Sequence, residues 1–221
     1  MDDPIIKSWN ENAEEWISLL SGGGIESRKY TNEAIIEAIK GTEAKKAVDI
    51  GCGEGWLTRQ MTEMGISAMG IDAIEPLLNN ARKKGSETYL QMTFEELIAG
   101  KIIEKGPFDL AVYNFCLYKK EGLKELMRQT LKNLSDDGKI LIQTLHPYFL
   151  IANELPYKSQ WLDDAWKGLP GNFVSGHSWY ARTIEDWANN LGQIDNVTLR
   201  LQEVVNDELK PISIIFTLQK I

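Results

Sequence analysis

Apolar residues recur along this chain with two spacings, one typical of amphipathic helices and one typical of β-strands. Helical spacing, with apolar side chains every three or four positions, predicts helices at 4–20, 31–40, 55–64, 74–84, 94–99, 123–134 and 184–191. Short apolar or alternating runs predict strands at 45–50, 67–71, 87–91, 108–113, 139–145, 197–205 and 212–219. From residue 45 onward strands and helices take turns, which predicts an α/β fold with a parallel sheet between helices.

Both ends of the chain and one internal segment depart from this alternation. Asp3 and Pro4 indicate a helix N-cap and a first-turn proline, and we expect Thr31 to cap the second helix. Residues 147–180 contain three prolines and three tryptophans with no clear period, which predicts an inserted loop region over the carboxyl edge of the sheet. The last two strands are joined by residues 206–210, too few for a parallel crossover, so they should pair antiparallel.

The length of 221 residues suits one α/β domain with a buried core and leaves little for a second one. We therefore expect a single domain over 1–221. Its predicted parts are a helical cap (1–44), a core (45–146), an insertion or lid (147–180) and a C-terminal helix and hairpin (181–221).

Composition narrows the possible partners and location. A net charge of −8 gives no general reason to bind polyanions, so nucleic acid is not expected as a partner. The two cysteines, Cys52 and Cys116, make a disulfide framework implausible and favour a reducing cytoplasm. The acidic N-terminus is unlike a signal peptide and no apolar run approaches membrane-spanning length, so we expect a cytoplasmic protein without membrane contact. We also expect a monomer or a homodimer.

Three glycines directly after the first predicted strand are the strongest sign of function. Gly51, Gly53 and Gly55 occupy every second position, and glycine allows a tight turn and a close approach to a ligand. This G-x-G-x-G spacing differs from the G-x-G-x-x-G of dinucleotide folds, which disfavours an NAD-linked oxidoreductase.

The run Asp49-Ile50-Gly51-Cys52-Gly53-Glu54-Gly55 resembles motif I of the class I S-adenosylmethionine (SAM) methyltransferases. The similarity extends over roughly 5–221 and is strongest over 45–147. It implies SAM as cofactor, a small-molecule substrate and a doubly wound, mostly parallel seven-stranded sheet with an antiparallel C-terminal hairpin. No metal-ligand cluster is evident in the sequence.

Ligands of open parallel sheets bind beyond the carboxyl ends of the strands, which is where several polar residues fall. Asp72 lies about 20 residues beyond the glycine turn, where a carboxylate can accept both ribose hydroxyls, although it can also serve as a helix N-cap. Together with the resemblance, these positions give the predicted cofactor-binding residues Trp16, Arg28, Asp49, Gly51, Cys52, Gly53, Asp72, Thr93, Phe94, Asn114 and Phe115.

Several of these assignments have an alternative interpretation. In the family that the chain resembles, the position of Asp49 braces the glycine loop and lies near the ammonium group of the cofactor. Arg28 can clamp the cofactor carboxylate or form a surface ion pair. Backbone groups at Thr93 and Phe94 can read adenine, with Phe94 either packing on the ring or belonging to the core. Cys52 is interpreted as a small loop residue.

A substrate that loses a proton needs a base, and histidine is suited to that role near neutral pH. His146 follows the fifth strand and His177 lies in the insertion, so both are candidate catalytic bases, although a lone histidine is more often structural. Trp161, Trp166, Trp179 and Tyr180 are expected to form apolar walls of the substrate site or a partner-binding surface. Arg182 can recognise an anionic substrate or remain solvated.

These observations favour a SAM-dependent methyltransferase that acts on an O or N nucleophile of a small molecule. Two alternatives stay open: a non-catalytic module that keeps the fold and binds a protein, and an RNA-modifying methyltransferase. The acidic charge balance weakens the second of these.

Overall fold

The computed structural model describes residues 3–22 and 24–221. Helices of the described chain are α1 (Pro4–Ser21), α2 (Arg28–Lys40), α3 (Trp56–Glu63), α4 (Glu75–Lys84), α5 (Phe94–Ile98), α6 (Leu123–Lys132), α7 (Tyr148–Ala152) and α8 (Ile184–Leu191). Its strands are β1 (Lys46–Ile50), β2 (Ser67–Asp72), β3 (Thr88–Gln91), β4 (Phe108–Asn114), β5 (Leu134–Leu145), β6 (Gln160–Leu162), β7 (Trp179–Ala181), β8 (Val197–Val205) and β9 (Pro211–Lys220).

Seven of these strands form one sheet in the order β3-β2-β1-β4-β5-β9-β8. Strands β1 to β5 pair in parallel, and β9 pairs antiparallel with both β5 and β8. The strand order reverses between β1 and β4, so the carboxyl ends of these two strands flank the crevice where doubly wound folds bind ligands. The predicted sheet and its antiparallel C-terminal hairpin are confirmed.

Helices cover both faces of the sheet because successive side chains of each buried strand point to opposite faces. In β1, Val48 and Ile50 pack into the cluster that contains Met127 and Leu131 of α6. Ala47 belongs to the opposite cluster, which contains residues of α2 and α3. The strands therefore have two buried faces, and the polar residues at their carboxyl ends are left at one edge.

The long helix α1 does not belong to either of these layers. Asp3 caps it by accepting a hydrogen bond from the backbone N–H of Ile5 at 2.9 Å, as predicted. Ala13 of α1 packs against Ile74 and Leu77, which lie at the start of α4. This contact places α1 near the carboxyl edge of the sheet rather than over one of its faces.

Three local predictions were wrong. Helix α2 begins at Arg28, so Thr31 lies inside the helix, where its carbonyl accepts a hydrogen bond from the side chain of Gln143 at 3.0 Å. Strand β5 begins at Leu134 instead of residue 139, because the polar residues after it continue the strand through a register shift opposite β4. The insertion is also more regular than expected, since it contains α7 and the antiparallel pair of β6 and β7.

Candidate active site

A cavity of about 880 Å³ lies at the carboxyl edge of the sheet. Its floor is formed by the loops that follow β1, β2 and β4, and its roof by α1 and the insertion. Most of the predicted cofactor residues line it, namely Trp16, Arg28, Asp49, Gly51, Cys52, Gly53, Asp72, Phe94, Asn114 and Phe115. The topology thus brings residues from positions 16 to 115 to one cavity.

The glycines of the loop after β1 are needed for different reasons. All three have positive φ, of 78° at Gly51, 55° at Gly53 and 80° at Gly55. A Cβ at Gly51 would lie 2.7 Å from the Cβ of Cys116, and one at Gly55 would lie 2.5 Å from the hydroxyl of Tyr89. Gly51 and Gly55 therefore make room for the protein itself, and Gly53 is the position with open space beside it.

Asp72 connects this loop to the next helix. One carboxylate oxygen accepts the backbone N–H of Gly53 and the other accepts that of Ile74, both at 2.8 Å. Each carboxylate oxygen can accept a further hydrogen bond, so both interpretations of Asp72 are compatible with the geometry. Burial raises the pKa of Asp72, and these two backbone donors act in the opposite direction.

Asp49 is a buried carboxyl group in the cavity wall. One of its oxygens accepts the hydroxyl of Thr58 at 2.8 Å, which ties β1 to α3. Its side chain is 1% exposed, and this burial raises the pKa of Asp49 to about 7, with the nearby charge of Asp72 adding to the effect. A cation in the cavity would favour the ionised form of this group.

Arg28 lies between two indole rings at the other side of the loop. Its guanidinium carbon is 5.5 Å from the ring centre of Trp16 and 5.7 Å from that of Trp56. Burial lowers the pKa of Arg28, and it pairs with no carboxylate among the described residues. The alternative of a surface ion pair does not describe this arrangement.

The segment after β3 differs from its prediction at Thr93. Thr93 caps α5 in a reciprocal arrangement with Glu96, in which its hydroxyl accepts the Glu96 N–H at 3.1 Å and its own N–H donates to the Glu96 carboxylate at 2.8 Å. Its backbone N–H is therefore used internally, and Thr93 does not line the cavity. Phe94, one residue later, does line it.

The loop after β4 contains an unusual polar atom. The side-chain oxygen of Asn114 is buried and has no hydrogen-bond partner among the described residues. Phe115, next to it, has a φ of 53°, which a non-glycine residue rarely adopts. An unpaired buried acceptor at the wall of a cavity is a position where a ligand donor is expected.

Cys52 behaves as the small loop residue that its sequence context suggests. Its thiol is buried beneath the loop, where a Cβ at Gly70 would lie 2.6 Å from the sulfur. Burial raises the pKa of Cys52 well above the usual value, which disfavours the nucleophilic thiolate.

The predictions for the two histidines need correction. His146 lines the cavity, but its Nδ1 accepts the backbone N–H of Tyr148 at 3.0 Å and its Nε2 lies 2.9 Å from a carboxylate oxygen of Glu203. Neither nitrogen is free to accept a substrate proton. His177 is buried behind the cavity wall, with its ring 5.1 Å from that of Tyr118 and its Nδ1 paired with the Ser178 carbonyl. The contacts of His146 support the structural interpretation, whereas the buried Nε2 of His177 has no hydrogen-bond partner among the described residues.

Aromatic side chains form the roof of the cavity. Trp166 of the insertion lies 4.6 Å from Trp9 between ring centres and donates its indole N–H to the hydroxyl of Ser8 at 2.9 Å. Trp179 and Tyr180 also line the cavity, whereas Trp161 is half exposed and lies outside it. Three of the four predicted wall residues are therefore in place.

Two residues that shape the site, Glu54 and Tyr118, were not predicted from the sequence. Glu54 is 4% exposed and its carboxylate pairs with Arg59 at 2.8 Å and Lys84 at 3.1 Å, which joins the glycine loop to α3 and α4. An acidic residue inside the glycine motif was the available signal. Tyr118 packs under Trp9 and donates its hydroxyl to the Phe115 carbonyl, and no periodic pattern marks this residue.

The sheet order, the glycine loop and the cavity above the strand ends define a Rossmann-like α/β protein. The profile of a family described as methyltransferase domain matches residues 25–193. The chain belongs to this methyltransferase family, and its predicted resemblance to the class I SAM-dependent methyltransferases is confirmed.

Individual relatives match parts of the chain. It is 34% identical over 77 residues to a ubiquinone biosynthesis O-methyltransferase of Methylococcus capsulatus, covering 35% of this chain and 32% of the relative. A protein of the same name from Idiomarina loihiensis is 30% identical over 109 residues, covering 48% and 44% of the two chains. The chain therefore spans less than half the length of these curated relatives.

Solved structures show the fold over a longer range. A SAM-dependent methyltransferase from Mesorhizobium loti superposes with a TM-score of 0.60 at 22% identity, covering 79% of this chain and 90% of that one. Magnesium protoporphyrin IX methyltransferase from Synechocystis PCC 6803 gives a TM-score of 0.68 at 14% identity, and the superposition covers the full length of both chains.

Among the helices of the described residues, none has the length and apolar composition of a membrane-spanning segment.

Proposed function

We propose that this protein transfers the methyl group of SAM to an oxygen or nitrogen nucleophile of a small molecule. The observation that carries the proposal is the continuous cavity that joins the glycine loop and Asp72 to the aromatic insertion. A cofactor and a substrate must share one volume for a direct transfer, since the reacting atoms have to lie within contact distance.

The cavity residues fit the chemical groups of SAM. Asp49 would hold the ammonium group, Arg28 the carboxylate and Asp72 the ribose hydroxyls, each by charge or hydrogen-bond complementarity. Phe94 would pack on the adenine ring. The unpartnered side-chain oxygen of Asn114 is the strongest part of this fit, because a donor on the ligand would remove the cost of a buried unpaired acceptor.

SAM, when bound, supplies an activated methyl group with a neutral leaving group. The chain's own residues supply alignment and the exclusion of water, for which the Trp9 and Trp166 roof is suited. A catalytic histidine is not part of the proposal, because the ring nitrogens of His146 are both engaged and His177 lies outside the cavity.

Two further considerations favour a small-molecule enzyme over the alternatives. A non-catalytic module would not need a cavity of this size above the strand ends. The names of the curated relatives specify O-methyltransferases of ubiquinone biosynthesis, which supports an oxygen acceptor here. A cytoplasmic location, a monomeric or homodimeric state and the lack of nucleic-acid binding stay predictions.

Calorimetry with S-adenosylhomocysteine tests the proposal. We expect micromolar binding to the full chain and at least roughly tenfold weaker binding to Asp72→Ala, because two backbone donors and the ligand lose a shared carboxylate. Asp195→Ala is the matched control, since Asp195 is 85% exposed and remote from the cavity wall. Failure of the folded wild-type protein to bind S-adenosylhomocysteine would refute the proposal.

A further inference from the structure

Arg182 is a buried cation in the cavity wall that the cofactor does not account for. It directly precedes α8, and its side chain is 1% exposed. Its guanidinium carbon lies 5.1 Å from the ring centre of Tyr180 and 5.0 Å from that of Trp187. A guanidinium held between two aromatic rings is fixed in orientation, and burial lowers the pKa of Arg182.

Only part of the hydrogen-bonding capacity of this guanidinium is used. Its Nη2 donates to the carbonyls of Lys119 at 2.9 Å and Lys120 at 2.5 Å, which fixes the loop after β4. Its Nη1 and Nε are shielded from water and have no hydrogen-bond partner among the described residues. Leaving charged donors buried and unpaired is costly, so a ligand acceptor at this position would be favourable.

The nearest carboxylate occupies only one of these donors. Asp186 forms an ion pair with Nε at 3.5 Å, too long for a hydrogen bond, and it lines a separate surface cleft instead of the cavity. Asp163 and Asp164 also line the cavity, but both are exposed and bond within the insertion, to the Ser178 hydroxyl and the Trp166 backbone N–H. Nη1 is therefore the donor of Arg182 that is left for an anion in the cavity.

Arg182 is linked to the loop after β4 through its hydrogen bonds and, through Trp187, to the side of the sheet away from Asp72. Its neighbour Trp187 packs on Phe216 of β9, with ring centres 5.5 Å apart. In the sheet order, β9 is four strand positions from β2, which carries Asp72. Adjacent strands are about 4.8 Å apart, so roughly 19 Å separates these strands. Phe149, Leu150 and Trp179 contribute apolar wall in the region of the insertion.

We infer that the methyl-accepting substrate carries an anionic group, a carboxylate in the simplest case, which binds at Arg182 while its apolar body lies against the insertion. This inference names the substrate class of the proposed methyltransferase and therefore rests on that function. Arg182 acts as a specificity-determining residue: an acid places a charged oxygen on the free guanidinium donor, whereas a neutral carboxamide offers an uncharged carbonyl oxygen and an NH2 group that cannot accept a hydrogen bond.

The test uses 2-naphthoate and its neutral analogue 2-naphthamide as probes of the full chain saturated with S-adenosylhomocysteine. We expect naphthoate to quench tryptophan fluorescence at concentrations at least roughly tenfold lower than naphthamide, because a buried hydrogen bond to a charged group discriminates by that order. Arg182→Gln should remove this preference, and its S-adenosylhomocysteine affinity is measured alongside because Arg182 also holds the loop after β4. Arg200→Gln, at an exposed arginine on β8 outside the cavity, should behave as wild type.

A second measurement avoids any dependence on the folding of Arg182→Gln. In the wild-type protein, the side-chain NMR signal of one arginine should shift on addition of naphthoate and not of naphthamide, and Arg182→Lys should lack that signal. Equal binding of the two probes, no naphthoate binding, or an acid preference that survives Arg182→Gln would overturn the inference. If S-adenosylhomocysteine binds and the acid preference is absent, the substrate class alone is wrong.

Discussion

Affinity for S-adenosylhomocysteine should increase between pH 6 and pH 8 because Asp49 has to be ionised to attract the ligand's ammonium group. The structure provides the reason in three observations. Asp49 lines the cavity, it is almost fully buried, and its one hydrogen bond, from Thr58, offsets only part of the cost of burying a charge. Its pKa is consequently raised to about 7, which lies in the middle of this pH range.

The size of the effect follows from that pKa. A group with a pKa of about 7 is about one-eleventh ionised at pH 6 and about ten-elevenths ionised at pH 8, so affinity should change by about tenfold, or about 1.4 kcal/mol. Binding should release about 0.9 proton at pH 6 and about 0.1 at pH 8. Calorimetry in two buffers of different ionisation enthalpy counts these protons directly.

Asp49→Asn is the matched variant, because an amide keeps an acceptor for Thr58 and cannot ionise. It should bind more weakly than wild type at pH 8, and its affinity should lack the Asp49-linked part of the pH dependence. The ligand's own titration is common to both proteins and cancels in the comparison.

Stability provides an independent readout of the same group. Because the folded-state pKa of Asp49 is above the unfolded value of 3.8, its contribution to stability is present at low pH and is lost as the pH rises toward 7. Asp49→Asn should therefore raise the free energy of unfolding by at most about 4 kcal/mol at pH 8, and by less than half of that at pH 5. Urea denaturation at the two pH values measures this difference in the free energy of unfolding.

Unchanged affinity of the wild type for S-adenosylhomocysteine between pH 6 and pH 8, with no proton release, would refute the assignment of Asp49 to the ammonium group.

Two other substitutions test the roof and the floor of the cavity. Asn12→Ala removes two hydrogen bonds to the backbone of Val174, at 2.7 and 2.8 Å. It should raise the dissociation rate of S-adenosylhomocysteine and destabilise the fold by roughly 2 kcal/mol. The control Asn10→Ala loses only a bond within α1 and should leave the rate unchanged, so equal rates for both variants would show that the Asn12 contact does not close the cavity. Gly51→Ala combines positive φ with a steric clash and should cost roughly 2–4 kcal/mol by urea denaturation. Gly65→Ala has a similar φ but open space around it, so a cost equal to that of Gly51→Ala would argue against the clash.

Features determined by neighbouring residues could be predicted from the sequence. Asp3 caps α1 as expected, because a cap depends on a side chain and a backbone group only two or three positions away. The α/β alternation and the short 206–210 connection likewise determined the sheet and its hairpin. The placement of Asp49 and Asp72 at one edge followed from their positions within and at the end of parallel strands.

Features that depend on distant partners could not be predicted. His146 follows the carboxyl end of β5, where a catalytic base is expected. Its partner Glu203 is 57 positions away on β8, and no local pattern in the sequence predicts that pairing. The prediction for Thr93 was wrong although its partner lies only three positions away. Its N–H is consumed by Glu96, and the T-x-x-E spacing that signals this reciprocal cap was present in the sequence.

The separation between local and distant contacts also divides the cavity into two mechanical parts. Floor residues such as Asp49 and Gly53 are attached to the central strands, so they cannot move without disturbing the core. The roof is held by contacts between α1 and the insertion, including Asn12 with Val174 and Ser8 with Trp166, across 162 and 158 positions of chain. Opening on the side of α1 would have to break these contacts and the packing of Ala13 on Ile74 and Leu77, but it would leave the hydrogen bonds of the seven-stranded sheet intact and would therefore cost less free energy than unfolding.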